Sequence, residues 1–340
     1  MKIYITGIAG LLGSNLAKTL LRKGYSVRGC DTLIGGYADN IPIGKVTWDN
    51  VDILDTKKLT ECIKDCDIVF HTAALAYEGL SVFSPKLVME NIYTGTISVA
   101  SAAINNKVKL FVNFSSMARY GNGNPPFKES HPTIPQDPYG LAKIHAEQSL
   151  ALLDTIHGLK HFNVVPHNVI GKGQVYTDPY RNVAAIFANR ILNGKSIIIY
   201  GDGSQKRSFS PVNTCVDAVI RLVENADSFD SGEVFNIGPD KNEITIKELA
   251  YLVASCAGVY PSLEFLPDRP QEVKNAFCSS DKAIKELHYN PNTYTNKQLI
   301  TEIVNWVKTR GPKKFNHKFS NVEIFDERVP ETWVNKEKLM

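Results

Sequence analysis

The 340-residue sequence predicts an α/β protein, a doubly wound parallel sheet with a smaller C-terminal α/β lobe. Three observations carry that expectation. Residues 1–13, MKIYITGIAGLLG, run from the strand formers Ile3, Tyr4 and Ile5 through Gly7, Gly10 and Gly13 into a helix patterned by Leu16, Leu20 and Leu21. Short apolar runs then alternate with helical patterns as far as Val165. Beyond that residue the texture becomes loop-rich, which marks the second lobe.

In order, Ser26–Cys30 reads as a second strand ending in Asp31, residues 35–40 as a loop, and 47–51 as a third strand ending at Asp52 and Ile53. A short helix at 57–64 precedes the buried-type strand Ile68–His71, which runs into Thr72, Ala73 and Ala74. One long helix is expected from about 85 to 105, then the strand Leu110–Phe114, which delivers Ser115 and Ser116 at its carboxyl end. A Pro/Gly/Asn-rich loop at 121–138 leads into a helix reaching about His157, and Pro138 suits its first position. Later elements are a strand at 163–165, the helix Val183–Leu192, the strand Ile197–Tyr200 with a polar turn after it, the strand Val234–Ile237, a helix at 246–254 and the strand Leu263–Leu266. The expected division is 1–166 with a return segment near 207–236, against 167–206 and 237–340. The tail, with Lys313, Lys314, His317 and Lys318, reads as a solvated, packed-down extension.

Composition narrows the function classes. Apolar content of 43% and charged content of 21% are ordinary for a globular chain, and a net charge of +3 spread along it gives no reason to expect nucleic acid or membrane partners. No apolar run reaches membrane length, and a strand starting at Lys2 leaves no room for a targeting segment, so a cytoplasmic location is expected. Six cysteines (Cys30, Cys62, Cys66, Cys215, Cys256, Cys278) form no CxxC pair, and no metal is expected.

Strand, glycine turn and helix together begin a dinucleotide site. Glycine lets the backbone approach a pyrophosphate, whose charge suits a helix N-terminus. The spacing is GxxGxxG. Asp31, about 20 residues beyond the turn, would accept from a ribose 2′-OH and repel a 2′-phosphate, which favours NAD over NADP. The sheet is therefore expected to be of Rossmann type. Oxidising an alcohol with NAD needs a base for the hydroxyl proton. Tyr139 and Lys143 lie four residues apart, on one helix face. The ammonium and the positive nicotinamide would stabilise a phenolate, and the Ser116 hydroxyl can share the substrate hydrogen bond.

With those residues in view, the chain resembles the extended short-chain dehydrogenase/reductase family, in its nucleotide-sugar epimerase/dehydratase branch. The resemblance rests on TGIAGLLG, HTAA, SSMARYG, YGLAK, HNVIG, DPYRN, GDGSQKRSF, FNIG and RPQE, which span essentially the whole length. It implies that Gly7, Gly10, Gly13, Asp31, Asp52, Ile53, Ala73 and Lys143 touch NAD, and that Ser116, Tyr139 and Lys143 are catalytic. Asn168, Asn182, Arg207 and Arg269 would hold the nucleotide and diphosphate, with Glu272 on the ribose. A homodimer through the Tyr139 helix is implied too; Leu150, Leu152 and Leu153 fit either an interface or ordinary core.

The resemblance also narrows the reaction. Dehydratases of the family place Asp-Glu directly after the active-site Ser/Thr; here Met117 and Ala118 stand there, and neither can move a proton. That favours 4-epimerisation of a UDP-hexose or UDP-N-acetylhexosamine, an isomerisation of EC 5.1.3 type. A 4-ketoreductase, C2 epimerase or dehydratase, and an NAD-sensing binding protein, are the alternatives. Ala276, counted from Arg269, falls at the position governing room near the sugar's 2-substituent. Ala76 falls where some hexose epimerases carry lysine. Two small side chains imply a pocket able to admit a 2-acetamido group. Val165, Lys172 and Asn213-Thr214 depart from the family pattern.

Overall fold

Seven parallel strands build the central sheet: β1 (Lys2–Thr6), β2 (Ser26–Cys30), β3 (Thr47–Asp49), β4 (Ile68–His71), β5 (Leu110–Phe114), β6 (His161–Pro166) and β7 (Val234–Ile237). Their spatial order is β7-β6-β5-β4-β1-β2-β3 in a computed structural model that describes residues 1–239, 241–315 and 322–335. Every residue of β4 and β5 is buried, as a sheet covered on both faces requires. Alternate residues serve the two faces. Ile3, Ile5, Phe70 and Val112 pack with Leu16 and Leu20 of the helix Leu11–Arg22 and with Val216, Val219 and Ile220 of the helix Val212–Glu224. Tyr4, Val69 and Phe111 pack instead with Leu59, Val99, Ala103 and Leu150 from the helices on the opposite face.

Register brings the strand ends level: Thr6 pairs with Cys30 and with His71, and Phe114 with Val164. Their carboxyl-end loops therefore open along one edge, where open parallel sheets bind ligands. His71 is buried beneath that edge, its ring nitrogens 2.9 Å from the Thr6 hydroxyl and 3.0 Å from that of Thr96.

A second core gathers Ile170, Phe187, Ile197, Ile199, Leu249, Val253, Leu299, Ile303 and Val307. Ile197–Tyr200 pairs with Leu263–Leu266, while Lys206–Arg207 sits between Ile244–Thr245 and Asn275–Ala276. The chain then crosses between the cores repeatedly. β7 returns to pair in parallel with β6, and Ala283, Leu287 and Tyr289 join the sheet's core.

Two expected elements differ in detail. β3 stops at Asp49, and the chain bends so that Val51, Asp52 and Ile53 line the cleft. The single helix expected over 85–105 is Pro85–Met89 and Gly95–Asn105 joined by a π-helical segment, Glu90–Thr94. That wider turn carries Asn91, whose Oδ1 accepts from the Leu75 backbone N–H at 2.8 Å. The helices Val212–Glu224, Asp281–Leu287 and Asn296–Arg310 extend the predicted set.

Leu150 is core, Leu153 is partly buried, and Leu152 points outward. In the tail, Lys313 exchanges hydrogen bonds with the Asn189 side chain. The segment 322–335 packs beside the cleft: Glu323 accepts from the Lys86 and Leu87 backbone N–H groups, and Trp333 lies edge-on to Phe83 and Tyr180. His317 and Lys318 lie outside the described residues. All six cysteines are free thiols. Among the described residues, no helix is long and apolar enough to cross a membrane and no cluster of His, Cys, Asp or Glu could hold a metal ion.

Candidate active site

A cavity of about 490 Å³ runs along the strand ends and under the second core. At one end lies the glycine turn. Gly7 has φ +71°, and a Cβ there would stand 2.8 Å from the Ala73 backbone; one on Gly13 would strike the Gly7 carbonyl. The helix Leu11–Arg22 starts at Gly10 without a side-chain cap, so its first N–H groups are available to an anion. Asp31 accepts from Ala9 N at 2.9 Å and Leu33 N at 2.7 Å, which fixes its carboxylate at the cavity wall. Asp52, Ile53 and Ala73 line the same stretch. Narrow turn, uncapped helix and fixed carboxylate fit the diphosphate and ribose of a dinucleotide.

The helix Pro138–His157 places the next groups. Asp137 caps it, accepting from Gly140 N at 2.8 Å, so Tyr139 and Lys143 fall on its first two turns facing the cavity. Tyr139 and Ser116 both line the cavity, and the Ser116 hydroxyl is close enough to favour the phenolate. Lys143 Nζ donates to the Phe114 carbonyl at 2.6 Å and lies 5.8 Å from the centre of the Tyr139 ring. Behind them, Glu147 pairs with Arg119 at 2.9 Å and accepts from the Ser115 hydroxyl. Burial lowers the Lys143 pKa to about 8, against the pull of Glu147. Burial raises that of the Tyr139 phenol; Ser116 and Arg181 oppose the rise, while Glu78 and Asp137 add to it. In the chain by itself burial thus outweighs the groups that favour the phenolate.

At the far end, Arg207 Nη2 donates to Glu272 at 3.0 Å and Arg269 Nε to the same carboxylate at 2.8 Å. The Arg269 guanidinium also lies over Tyr200, 4.8 Å from the ring centre, and the Tyr200 hydroxyl meets Thr332 at 2.5 Å. Asn168 and Asn182 line the cavity, although the Asn182 carbonyl is engaged in capping the helix Val183–Leu192. Ala76 is open to the cavity. Ala276 is not among the lining residues; it pairs with Arg207 and packs with Met117, Tyr120, Phe127, Val165 and Cys278. The structure thus gathers the other sequence-derived site residues around one cavity.

Three further charged residues line the cavity. Glu78 faces it from just after the HTAA segment, open to the cavity; the cavity walls around its carboxylate, with Asp137 adding, push its pKa upward. Asp137, which caps the helix two residues before Tyr139, adds to the rise in the phenol's pKa. Arg181, within the DPYRN segment, donates to Asp178 at 3.1 Å and to the Ala74 carbonyl at 3.1 Å.

Such a cleft defines an α/β enzyme with a dinucleotide site beside a buried tyrosine and lysine. The chain belongs to the NAD dependent epimerase/dehydratase family, whose model matches residues 3–238. It is 31% identical over 301 residues to the UDP-glucose 4-epimerase of Mycolicibacterium smegmatis, covering 86% of this chain and 94% of that one. Among solved structures it is similar to the UDP-glucose 4-epimerase of Thermotoga maritima with UDP-glucose (TM-score 0.83, 28% identity, 91% of this chain and 99% of that one). It is equally similar to the UDP-N-acetylglucosamine 4-epimerase of Methanobrevibacter ruminantium in complex with UDP-N-acetylmuramic acid (TM-score 0.83, 29% identity, 91% and 99%).

Proposed function

We propose that the protein is an NAD-dependent 4-epimerase of a UDP-hexose or UDP-N-acetylhexosamine. The observation that carries this reading is one cavity lined by the glycine turn, by Tyr139 with Ser116 and the anchored Lys143 one turn on, and by the Arg207–Glu272–Arg269 cluster. In this reading Gly7, Gly10, Gly13, Asp31, Asp52, Ile53 and Ala73 hold the dinucleotide, with Lys143 on its nicotinamide side. Arg207 and Arg269 present forked donors to the substrate diphosphate, Glu272 meets the ribose, and Asn168 and Asn182 complete that wall. Bound NAD supplies the two-electron oxidation of the sugar's C4 and its reversal.

Tyr139 takes the 4-hydroxyl proton, Ser116 orients that oxygen, and Lys143 holds positive charge beside the phenolate. The sugar then presents its other face, and Tyr139 returns the proton to the 4-oxygen. Met117 and Ala118 offer no group for eliminating water. There is no net redox change. We assign residues 1–166, with the return near 207–236, to cofactor binding, and 167–206 with 237–340 to the substrate lobe and tail, apart from 283–289, which pack back on the sheet. A cytoplasmic homodimer is part of the same reading: Leu152 and Ile156 are exposed side by side on the Tyr139 helix, 63% and 68% accessible.

Incubation with UDP-glucose or UDP-N-acetylglucosamine, followed by chromatography, should yield the 4-epimer with NADH remaining below one equivalent. Stoichiometric NADH without epimer would refute the proposal.

A further inference from the structure

Arg181 joins parts of the cavity that the strand-end loops leave separate. It starts from the loop after Asp178, and its guanidinium reaches the Ala74 carbonyl beyond β4. The same guanidinium lies over Gly35, in the loop that follows β2 and Asp31: a Cβ built on Gly35 would come 2.2 Å from its Nη2. The neighbouring Gly36 is equally confined, since a Cβ there would lie 2.5 Å from the Ala9 backbone of the glycine turn. Two successive glycines thus thread the loop between the turn below and the arginine above.

The carboxylate of Asp178 steadies this arm, accepting from Arg181 Nε at 3.1 Å and from the Tyr77 hydroxyl at 2.8 Å. The Arg181 guanidinium also lies over the Tyr77 ring, 5.7 Å from its centre. Its hydrogen bonds to Asp178 and Ala74 use only part of a five-donor fork, and the residue lines the cavity.

We infer that Arg181 is a clasp on the resident dinucleotide, closing over its diphosphate from the second lobe. The inference rests on the epimerase reading, in which the cofactor is regenerated at every turnover and release serves no purpose. A guanidinium fork matches two phosphate oxygens, and this one lies against the Gly35 loop after β2 while it is bonded to Ala74 after β4. Arg207 and Arg269, by contrast, converge on Glu272 at the other end of the cavity.

The test measures retention of cofactor, not turnover. NAD in the purified protein is quantified after acid release, and its exchange against isotopically labelled NAD is followed by mass spectrometry. Wild type, R181A, R181K and G35A are compared, with thermal melting as the check on folding. G35A leaves the arginine in place but puts a methyl where its guanidinium rests, so it carries the test should R181A fail to fold. Exchange about tenfold faster or more in R181A and G35A, with R181K intermediate, is the expected result. Exchange at the wild-type rate in both would overturn the clasp, as would a loss confined to UDP affinity by calorimetry. A wild type that makes the epimer while R181A and G35A exchange normally would sink only the clasp. A wild type that holds no NAD and makes no epimer would sink the parent reading with it.

Discussion

Glu147→Gln separates what holds the site together from what sets its charge. Glu147 and Arg119 are an ion pair at 2.9 Å, with side chains 9% and 8% exposed. Removing one partner leaves the other charge buried without compensation, a cost of about 3–5 kcal/mol. At about 2–4 °C per kcal/mol for a chain of a few hundred residues, the melting midpoint should fall by about 6–20 °C. A second effect follows from Lys143, whose pKa of about 8 is held up by Glu147 against burial. With that carboxylate neutralised the value drops further. Lys143 is charged below its pKa and must be charged to support the Tyr139 phenolate. The limb of the rate profile lost at high pH should therefore move to lower pH. The assay is epimer formation across pH 6–9, well below the melting midpoint. A large drop in midpoint with the high-pH limb unmoved would refute the claim that Glu147 sets the charge on Lys143.

Tyr139→Phe should lower epimer formation by at least about a hundredfold while the NAD content of the purified protein stays unchanged, measured by chromatography of both. Glu78→Gln removes a charge that raises the Tyr139 pKa, so the low-pH limb of activity should shift toward lower pH; an unmoved limb would show that Glu78 is not felt by the phenol. His71 and His167 are buried and brought down to about 3, below the ordinary histidine value of 6.5. The unfolded chain takes up their protons first as pH falls, so stability is lost from about pH 6.5 downward, by about 1.4 kcal/mol per pH unit for each ring. Denaturant melts between pH 7 and 4 check this, and His71→Asn should remove about one proton from the slope.

The strands were legible because they are short apolar runs with fixed ends. Ser26–Cys30, Ile68–His71, Leu110–Phe114 and Val234–Ile237 occupy the stretches the pattern marks. The π-helical turn was not legible, because one extra residue in a turn leaves apolar spacing almost intact. Asn296–Arg310 did carry a signal, with Leu299, Ile300, Ile303, Val304 and Val307 on one face and a Thr295–Gln298 capping box, but its polar surroundings mask it. The glycine turn, Asp31 and the Tyr139–Lys143 pair are local and could be read from spacing. Glu78 and Arg181 act on neighbours far away in the chain: Arg181 meets Gly35 and Ala74 only after two lobes dock. Ala276 was placed by counting along a motif, which gives position but not direction.

The return of the chain at Val234–Ile237 has a bearing on how the protein is made. Until that segment leaves the ribosome, His161–Pro166 is the outermost strand of a hydrophobic sheet, with one row of backbone donors and acceptors bare. Such an edge invites pairing with another nascent chain. A fragment ending near residue 166 would keep that liability for good, so cutting this protein into separately expressed halves should give aggregates.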